Sequence, residues 1–225
     1  MEKKGIVLVF STLVVIASCD YNYYQVTLQW QPATCSDANL QTPCVNTPQD
    51  RFSIHGVWPT LSSGSYPQCP GTPAYDGSKI STIRNRLNAD WPSVIYGTNP
   101  TLWSHEWTTH GTCSYPSLSQ LDYFTFGLDT YAKYDIYSAL DKEDIYPSED
   151  VYSKSSINNA IRKITQKLPG LRCNTNDYSR ERQLHEIILC FAKSNRAIID
   201  CPSNVVTCGN YVYWYPWYPE GVKKQ

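Results

Sequence analysis

The chain has 225 residues with 19 lysines and arginines against 20 aspartates and glutamates, a formal charge of −1 with histidines neutral. That balance excludes a protein that grips nucleic acid across a broad basic face through counterion release, so a nucleic-acid partner would have to be recognised at a local site. No internal repeat, low-complexity tract or linker divides the sequence, which is long enough for one sizeable core.

The first residues read as a targeting signal. Lys3 and Lys4 precede an uncharged run from Gly5 to Ser18, and Ala17-Ser18-Cys19 supplies small residues at a processing site. Fourteen uncharged residues are too few to cross a bilayer as a helix, and no later segment is apolar enough to try. The expected organisation is therefore a secretory signal peptide over 1–19 and a single domain over 20–225. The expected destination is the extracellular space, with a vacuole as the alternative, and no membrane contact. Loss of Glu2, Lys3 and Lys4 leaves 17 basic and 19 acidic residues, a net charge of −2. Cleavage after Cys19 also leaves an even set, Cys35, Cys44, Cys69, Cys113, Cys173, Cys190, Cys201 and Cys208, and four disulfides are expected in an oxidising compartment. Spacing alone does not pair them, since eight cysteines admit about 105 connectivities. Asn46-Thr47-Pro48 and Asn99-Pro100 do not make N-glycosylation sequons, and none occurs elsewhere.

Val26, Leu28 and Trp30 alternate with Thr27 and Gln29, the pattern of a half-buried strand ending at Pro32. Phe52-Ser53-Ile54-His55 repeats it, and places His55 opposite the apolar face just before a turn at Gly56. Ile80, Ile83, Arg84 and Leu87 have helical spacing ahead of Trp91-Pro92. Leu102 to His110 predicts a short helix stopped by Gly111. Leu118, Leu121, Phe124, Leu128 and Tyr131 trace a longer helical stripe, interrupted in propensity by Gly127. Asp135 is placed to cap a short helix through Leu140. Ile157, Ile161, Ile164 and Leu168 form an amphipathic helix closed by Pro169-Gly170. Strands are expected at 186–191, 197–200 and 211–214. Strands at both ends around a helical middle predict an α+β fold, an antiparallel sheet with helices packed on it. The aromatic stretch from Tyr211 to Glu220 contains two prolines that argue against a central strand beyond Trp214. Packing across the body and a sorting signal are both open readings of it.

Residues 105–113, HEWTTHGTC, concentrate the candidate chemistry. Zinc-binding helices present two histidines four residues apart, about 40° around the axis, whereas His105 and His110 are five apart, about 140°. A regular helix cannot bring both to one ion, and no metal is expected. Glu106 and His110 are four apart on one face, with Thr109 beside them and His105 at the edge of the arc, a surface suited to acid–base work. His55 on its separate strand could supply a second histidine, one neutral as base and one protonated as acid. The competing reading is an exposed helical ion pair worth a few tenths of a kcal/mol, and spacing alone does not choose between them. His185, alone at the start of an apolar strand, reads as packing. Trp103 and Trp107 could stack on a base but need no ligand to explain them in a core helix.

FSIHGVWP at 52–59 and LWSHEWTTHGTC at 102–113 closely resemble the two signature blocks of the T2 family of secreted ribonucleases, plant S-like members in particular. VTLQW at 26–30, ADWPSV at 89–94, PGLRC at 169–173 and the cysteines at 190, 201 and 208 follow in the family's order, so the likeness covers essentially the whole mature chain. The resemblance implies a disulfide-stabilised α+β fold and an endoribonuclease that cleaves RNA without a metal or other cofactor and spares DNA, which lacks the nucleophilic 2′-OH; a monomer is the default expectation. It implies His110 as general base, His55 as general acid, Glu106 as an organiser of the charged transition state and His105 as a phosphate ligand. It implies a base pocket near Gln29, Ser93, Ile95, Leu102 and Trp103, with Trp58 beside His55. For the disulfides it implies Cys35 with Cys44, Cys69 with Cys113, Cys173 with Cys208 and Cys190 with Cys201. One departure matters: most active members carry lysine immediately before the second-block histidine, where this chain has Thr109. The resemblance thus admits a working but slowed ribonuclease or a nearly inactive storage or defence relative. A self-incompatibility ribonuclease fits less well, because those are basic and glycosylated.

Overall fold

The computed structural model describes residues 19–69 and 73–218; the signal peptide expected from the sequence lies outside them except for Cys19. Seven strands form one sheet: β1 (Tyr23–Trp30), β2 (Phe52–Thr60), β3 (Val151–Ser153), β4 (Gly170–Thr175), β5 (Arg182–Ala192), β6 (Ile198–Ile199) and β7 (Tyr211–Tyr213). Neighbours run β2-β1-β5-β7-β3, with β4 and β6 also pairing on β5. All pairings are antiparallel except a short parallel contact of Gln183 in β5 with Tyr213 in β7. The α+β architecture expected from the sequence is the one observed.

β1 departs from the half-buried strand its alternation predicts, because all eight of its residues are buried. It lies between β2 and β5, and its two faces meet different partners. Val26, Leu28 and Trp30 enter the main apolar core. Gln25, Thr27 and Gln29 face the opposite side, where they are as inaccessible as the apolar set. A strand with two occupied faces keeps its alternation in chemistry but loses it in exposure.

The helices are α1 (Gln31–Cys35), α2 (Arg84–Asp90), α3 (Asn99–Thr109), α4 (Gln120–Lys133), α5 (Ile136–Asp141) and α6 (Lys154–Thr165). The stretch read as one helix from Ile80 splits into a 3₁₀ segment, Gly77–Ile83, and α2. Ser119 and Asp122 close a reciprocal capping box on α4. Asp135 caps α5 through its bond from the Ser138 N–H at 3.0 Å, as its position predicts. Two predicted stripes run past their true edges. Leu121 on α4 and Ile164 on α6 are exposed, and α6 ends at Thr165 with Gln166 in the left-handed region at φ 58°, before Pro169-Gly170 is reached. Gly170 instead opens β4, a strand the sequence reading passed over.

Gly127 answers to packing more than to propensity. A Cβ there would lie 2.7 Å from Trp91 Cζ3 and 3.0 Å from Val57 Cγ2, so the glycine lets α4 settle onto a buried indole. Gly127→Ala should lower the unfolding free energy by about 1–3 kcal/mol through overpacking, even though alanine is the better helix former. Chemical denaturation of both proteins checks it; an unchanged or raised midpoint would mean that Trp91 gives way freely.

Trp214 resolves the aromatic end. It is fully buried, 5.2 Å from Trp30 and 5.5 Å from Phe52 between ring centroids, and Trp30 Nε1 donates to the Tyr215 carbonyl at 2.7 Å. The segment packs across the body as far as it is described.

Disulfides join Cys35 to Cys44, Cys173 to Cys208 and Cys190 to Cys201. Cys69 departs from a single pairing. Its sulfur lies at bonding distance from both Cys113, at 2.09 Å, and Cys19, at 2.01 Å. One sulfur forms one disulfide, so these two are alternatives, and removal of residues 1–19 would leave Cys113 as the partner. Among the described residues no helix is long and apolar enough to cross a membrane.

Candidate active site

The register of β2 against β1 creates the site's first residue. Thr27 pairs with Gly56 and Leu28 with Ile54, so His55 is the extra residue of a β-bulge. A bulge re-aims the side chain it carries and shifts the alternation that follows it. Downstream, Val57 therefore enters the core while Trp58 joins the polar face of the sheet with Gln25 and Gln29. The turn expected at Gly56 is absent, and the strand continues through it. The glycine serves a close approach: a Cβ there would collide with Glu106 Oε2 and Trp58 Nε1.

α3 supplies the second group. Thr98 caps it by accepting the Thr101 N–H, Pro100 stiffens its first turn, and Leu102, Trp103 and Trp107 anchor one side in the core. Glu106 follows that buried side. It is 2% exposed and accepts a 2.9 Å bond from Trp58 Nε1, so it is not the exposed partner of His110 that helical spacing allows. His110 has left the helix as its C-cap, with φ −123°, its N–H still donating to the Glu106 carbonyl at 3.0 Å. Gly111 follows because a side chain there would meet the Trp107 ring.

Trp58 stands between the two histidine blocks. Its ring centroid is 5.0 Å from His55 and 5.4 Å from His110, and Tyr66 packs on both Trp58, at 5.3 Å, and His110, at 5.1 Å. His105 and Thr109 lie on the outer side of α3, where they line a cleft of about 570 Å³ with Tyr96, Thr101, Ser104 and Thr108. The residues of the implied base pocket are less open. Gln29 is buried and accepts from the Thr34 hydroxyl at 3.1 Å, and Ser93 is buried with its oxygen accepting the Tyr96 N–H at 2.8 Å. Ile95 is half-buried. Leu102 and Trp103 belong to the core, and the Trp103 indole is committed to the Trp91 carbonyl at 2.9 Å, so neither forms an open wall. His185 bonds the Thr34 hydroxyl at 3.0 Å, a packing role as its position predicts.

Two groups escaped the sequence reading. Glu186, in β5, is 4% exposed and places Oε1 2.5 Å from His55 Nδ1. Arg172, its partner across β4, reaches Glu186 Oε2 at 3.4 Å, Gln25 Oε1 at 2.9 Å and the Tyr66 hydroxyl at 3.1 Å, with its guanidinium 5.5 Å from the Trp58 ring. A glutamate between His185 and an apolar run was the available signal, since such a charge is rarely buried without a partner.

The electrostatics divide the histidines. Burial pushes His110 down to about 3, and the charges of His55 and His105 act in the same direction. Burial also works against the charge on His55, but its bond to Glu186 and the charges of Glu186 and Glu106 together outweigh that and raise it above an ordinary histidine. Burial lifts Glu106 to about 7 against the opposing pull of His55 and the Trp58 bond. His105 is lowered by burial and by the His55 charge. The two imidazoles that flank the single indole are thus biased in opposite directions, His110 toward the neutral form and His55 toward the protonated one, the division of labour that proton transfer in two directions requires.

Comparison with known proteins identifies what carries this arrangement. The sequence matches the profile of the Ribonuclease T2 family over residues 21–201. Ribonuclease MC of Momordica charantia is 37% identical over 186 residues, covering 82% of this chain and 96% of that protein. Extracellular ribonuclease LE of Solanum lycopersicum is 32% identical over 206 residues, covering 86% and 89%. The solved structure of ribonuclease MC1 from bitter gourd seeds superposes with a TM-score of 0.79 at 35% identity, over 86% of this chain and all of that one. With the profile spanning most of the sequence and the fold shared over 86% of the chain, the chain belongs to the Ribonuclease T2 family and is an endoribonuclease.

Proposed function

We propose that this ribonuclease cleaves single-stranded RNA by metal-free transphosphorylation. Neutral His110 takes the proton of a ribose 2′-OH, the 2′-oxygen bonds to the adjacent phosphorus, and the P–O5′ bond breaks as protonated His55 delivers its proton to the departing oxygen. The products are a 2′,3′-cyclic phosphate and a 5′-OH, with His110 left protonated and His55 neutral. Glu106, protonated below about 7, can donate to a phosphoryl oxygen while Trp58 holds its other oxygen, and His105 lies on the outer side to bind phosphate. Gln29, Ser93, Ile95, Leu102 and Trp103 are assigned to the surroundings of a base, where the buried members shape the wall from behind.

The observation that carries the reading is the opposite displacement of His55 and His110 about one tryptophan. Secretion after removal of residues 1–19, action as a monomer and exclusion of DNA complete the proposal. The test is cleavage of a single-stranded oligoribonucleotide by the purified mature protein in excess EDTA. A cyclic-phosphate product and no cleavage of the matching deoxyoligonucleotide are expected; loss of activity in EDTA, or a linear phosphate as the first product, would overturn the mechanism.

A second reading has one observation in its favour. Thr109 puts a neutral hydroxyl on the cleft wall beside His105 where a cation is expected, which suits a slow enzyme or one turned to storage or defence.

A further inference from the structure

We propose that Glu186, held by Arg172, is a positioning residue for the reaction: it fixes the His55 ring through Nδ1, so that Nε2 carries the proton that goes to the leaving oxygen. The inference rests on the reading of His55 as the general acid.

The geometry separates this role from an ordinary buried ion pair. Arg172 alone could neutralise Glu186, yet the carboxylate makes its shorter contact with the imidazole, 2.5 Å against 3.4 Å. Arg172 is itself tied to Gln25 Oε1 and the Tyr66 hydroxyl, which leaves it a fixed backstop behind the carboxylate. A carboxylate 5% exposed in its side chain cannot swing to solvent, whereas His55 keeps a third of its side chain exposed. The bulge turns His55 out of the regular strand ladder, and Glu186 fixes the ring there by engaging one nitrogen and leaving the other for the substrate. The charged and titratable groups around His55 are Glu186 and His185 from β5, Arg172 from β4, and Glu106 with His105 and His110 from α3 and its end, and the Trp58 ring packs beside it. Of these only Glu186 bonds the imidazole.

The experiment compares kcat and KM for a short oligoribonucleotide across pH in the parent and in Glu186→Gln. The expected result is a fall in kcat of at least about tenfold at neutral pH with KM within about twofold. The basic limb of the profile should move about one unit toward acid, because His55 gives up its proton more readily without the carboxylate. A loss equal at every pH, or limbs that superpose on the parent's, would overturn the proposal. Should Glu186→Gln not fold, ¹H–¹⁵N spectra of the histidine rings in the unaltered protein decide it. His55 should keep its Nδ1 proton throughout and titrate above a free histidine; titration at or below a free histidine, or a bare Nδ1, would refute the contact. A parent that cleaves no RNA would refute the acid role of His55 while the ring titration still reports on Glu186, so the two failures are distinguishable.

Discussion

His110→Ala is expected to reduce RNA cleavage by about a thousandfold with the fold intact, because it removes the group that accepts the 2′-OH proton. The backbone bond from residue 110 to the Glu106 carbonyl does not depend on the imidazole, and the partly buried ring packs on Trp58 and Tyr66 outside the main core. Initial rates on an oligoribonucleotide, with circular dichroism as the control for folding, measure it; activity within tenfold of the parent would show that another group is the base. The pH profile adds a second readout. The base must be neutral, so kcat/KM should rise through about pH 3, where His110 loses its proton. The acid must be protonated, so activity should fall as pH passes the raised value of His55, above that of an ordinary histidine, and loss of the Glu106 proton above about 7 should add to the same limb. His110→Ala should erase the acid limb and leave the basic one.

Which groups meet in this site was only partly legible in the sequence. The two histidine blocks are local in sequence and carry strong resemblance, and they come together about Trp58. Helical spacing put Glu106 and His110 on one face, but spacing says nothing about where a helix ends. With His110 at the C-cap and Glu106 turned under Trp58, the exposed ion pair that spacing left open as one of two readings does not form. Alternation placed His55 on the polar side of β2 for a reason that was incomplete. A bulge, which depends on register against β1, is what presents it and what carries Trp58 to the same side. Glu186 offered only the signal of a charge at the head of an apolar run and Arg172 offered none, because their meaning arises across strands, Arg172 opposite Glu186 and Glu186 opposite Gln29.

Exposure was the other illegible quantity. Gln25, Thr27 and Gln29 look like the wet side of a two-faced strand and are buried, since the second face of the sheet supports the site. Ile164 and Leu121 continue apolar stripes yet are exposed, since they lie at the edge of the face each helix buries. Gly127 and Gly56 read as a helix weakness and a turn. Both instead mark places where a tryptophan or a carboxylate comes too near for a Cβ, a property of the neighbour and not of the local segment.

Thr109→Lys is expected to raise kcat by about a hundredfold, roughly 3 kcal/mol of transition-state stabilisation. The reacting phosphate gains negative charge as the 2′-oxygen adds, and a hydroxyl can offer it a hydrogen bond but no charge. Residue 109 is the last of α3, exposed on the cleft wall with His105 and next in sequence to the base. Lysine there costs the fold little: the side chain has open space, and a cation in the last turn is favoured by the helix dipole. The effect should be electrostatic, so Thr109→Met, similar in length and uncharged, should give no gain, and added salt should shrink the lysine's advantage. The added charge should also hold the nearby histidines further toward neutral, moving the acid limb lower and the basic limb lower with it. A gain in kcat with KM nearly unchanged would identify Thr109 as the cause of a slowed reaction. No gain over methionine would mean that the neighbouring groups already stabilise the phosphate, through the charge of His55 and hydrogen bonds from His105 and protonated Glu106, without the missing cation.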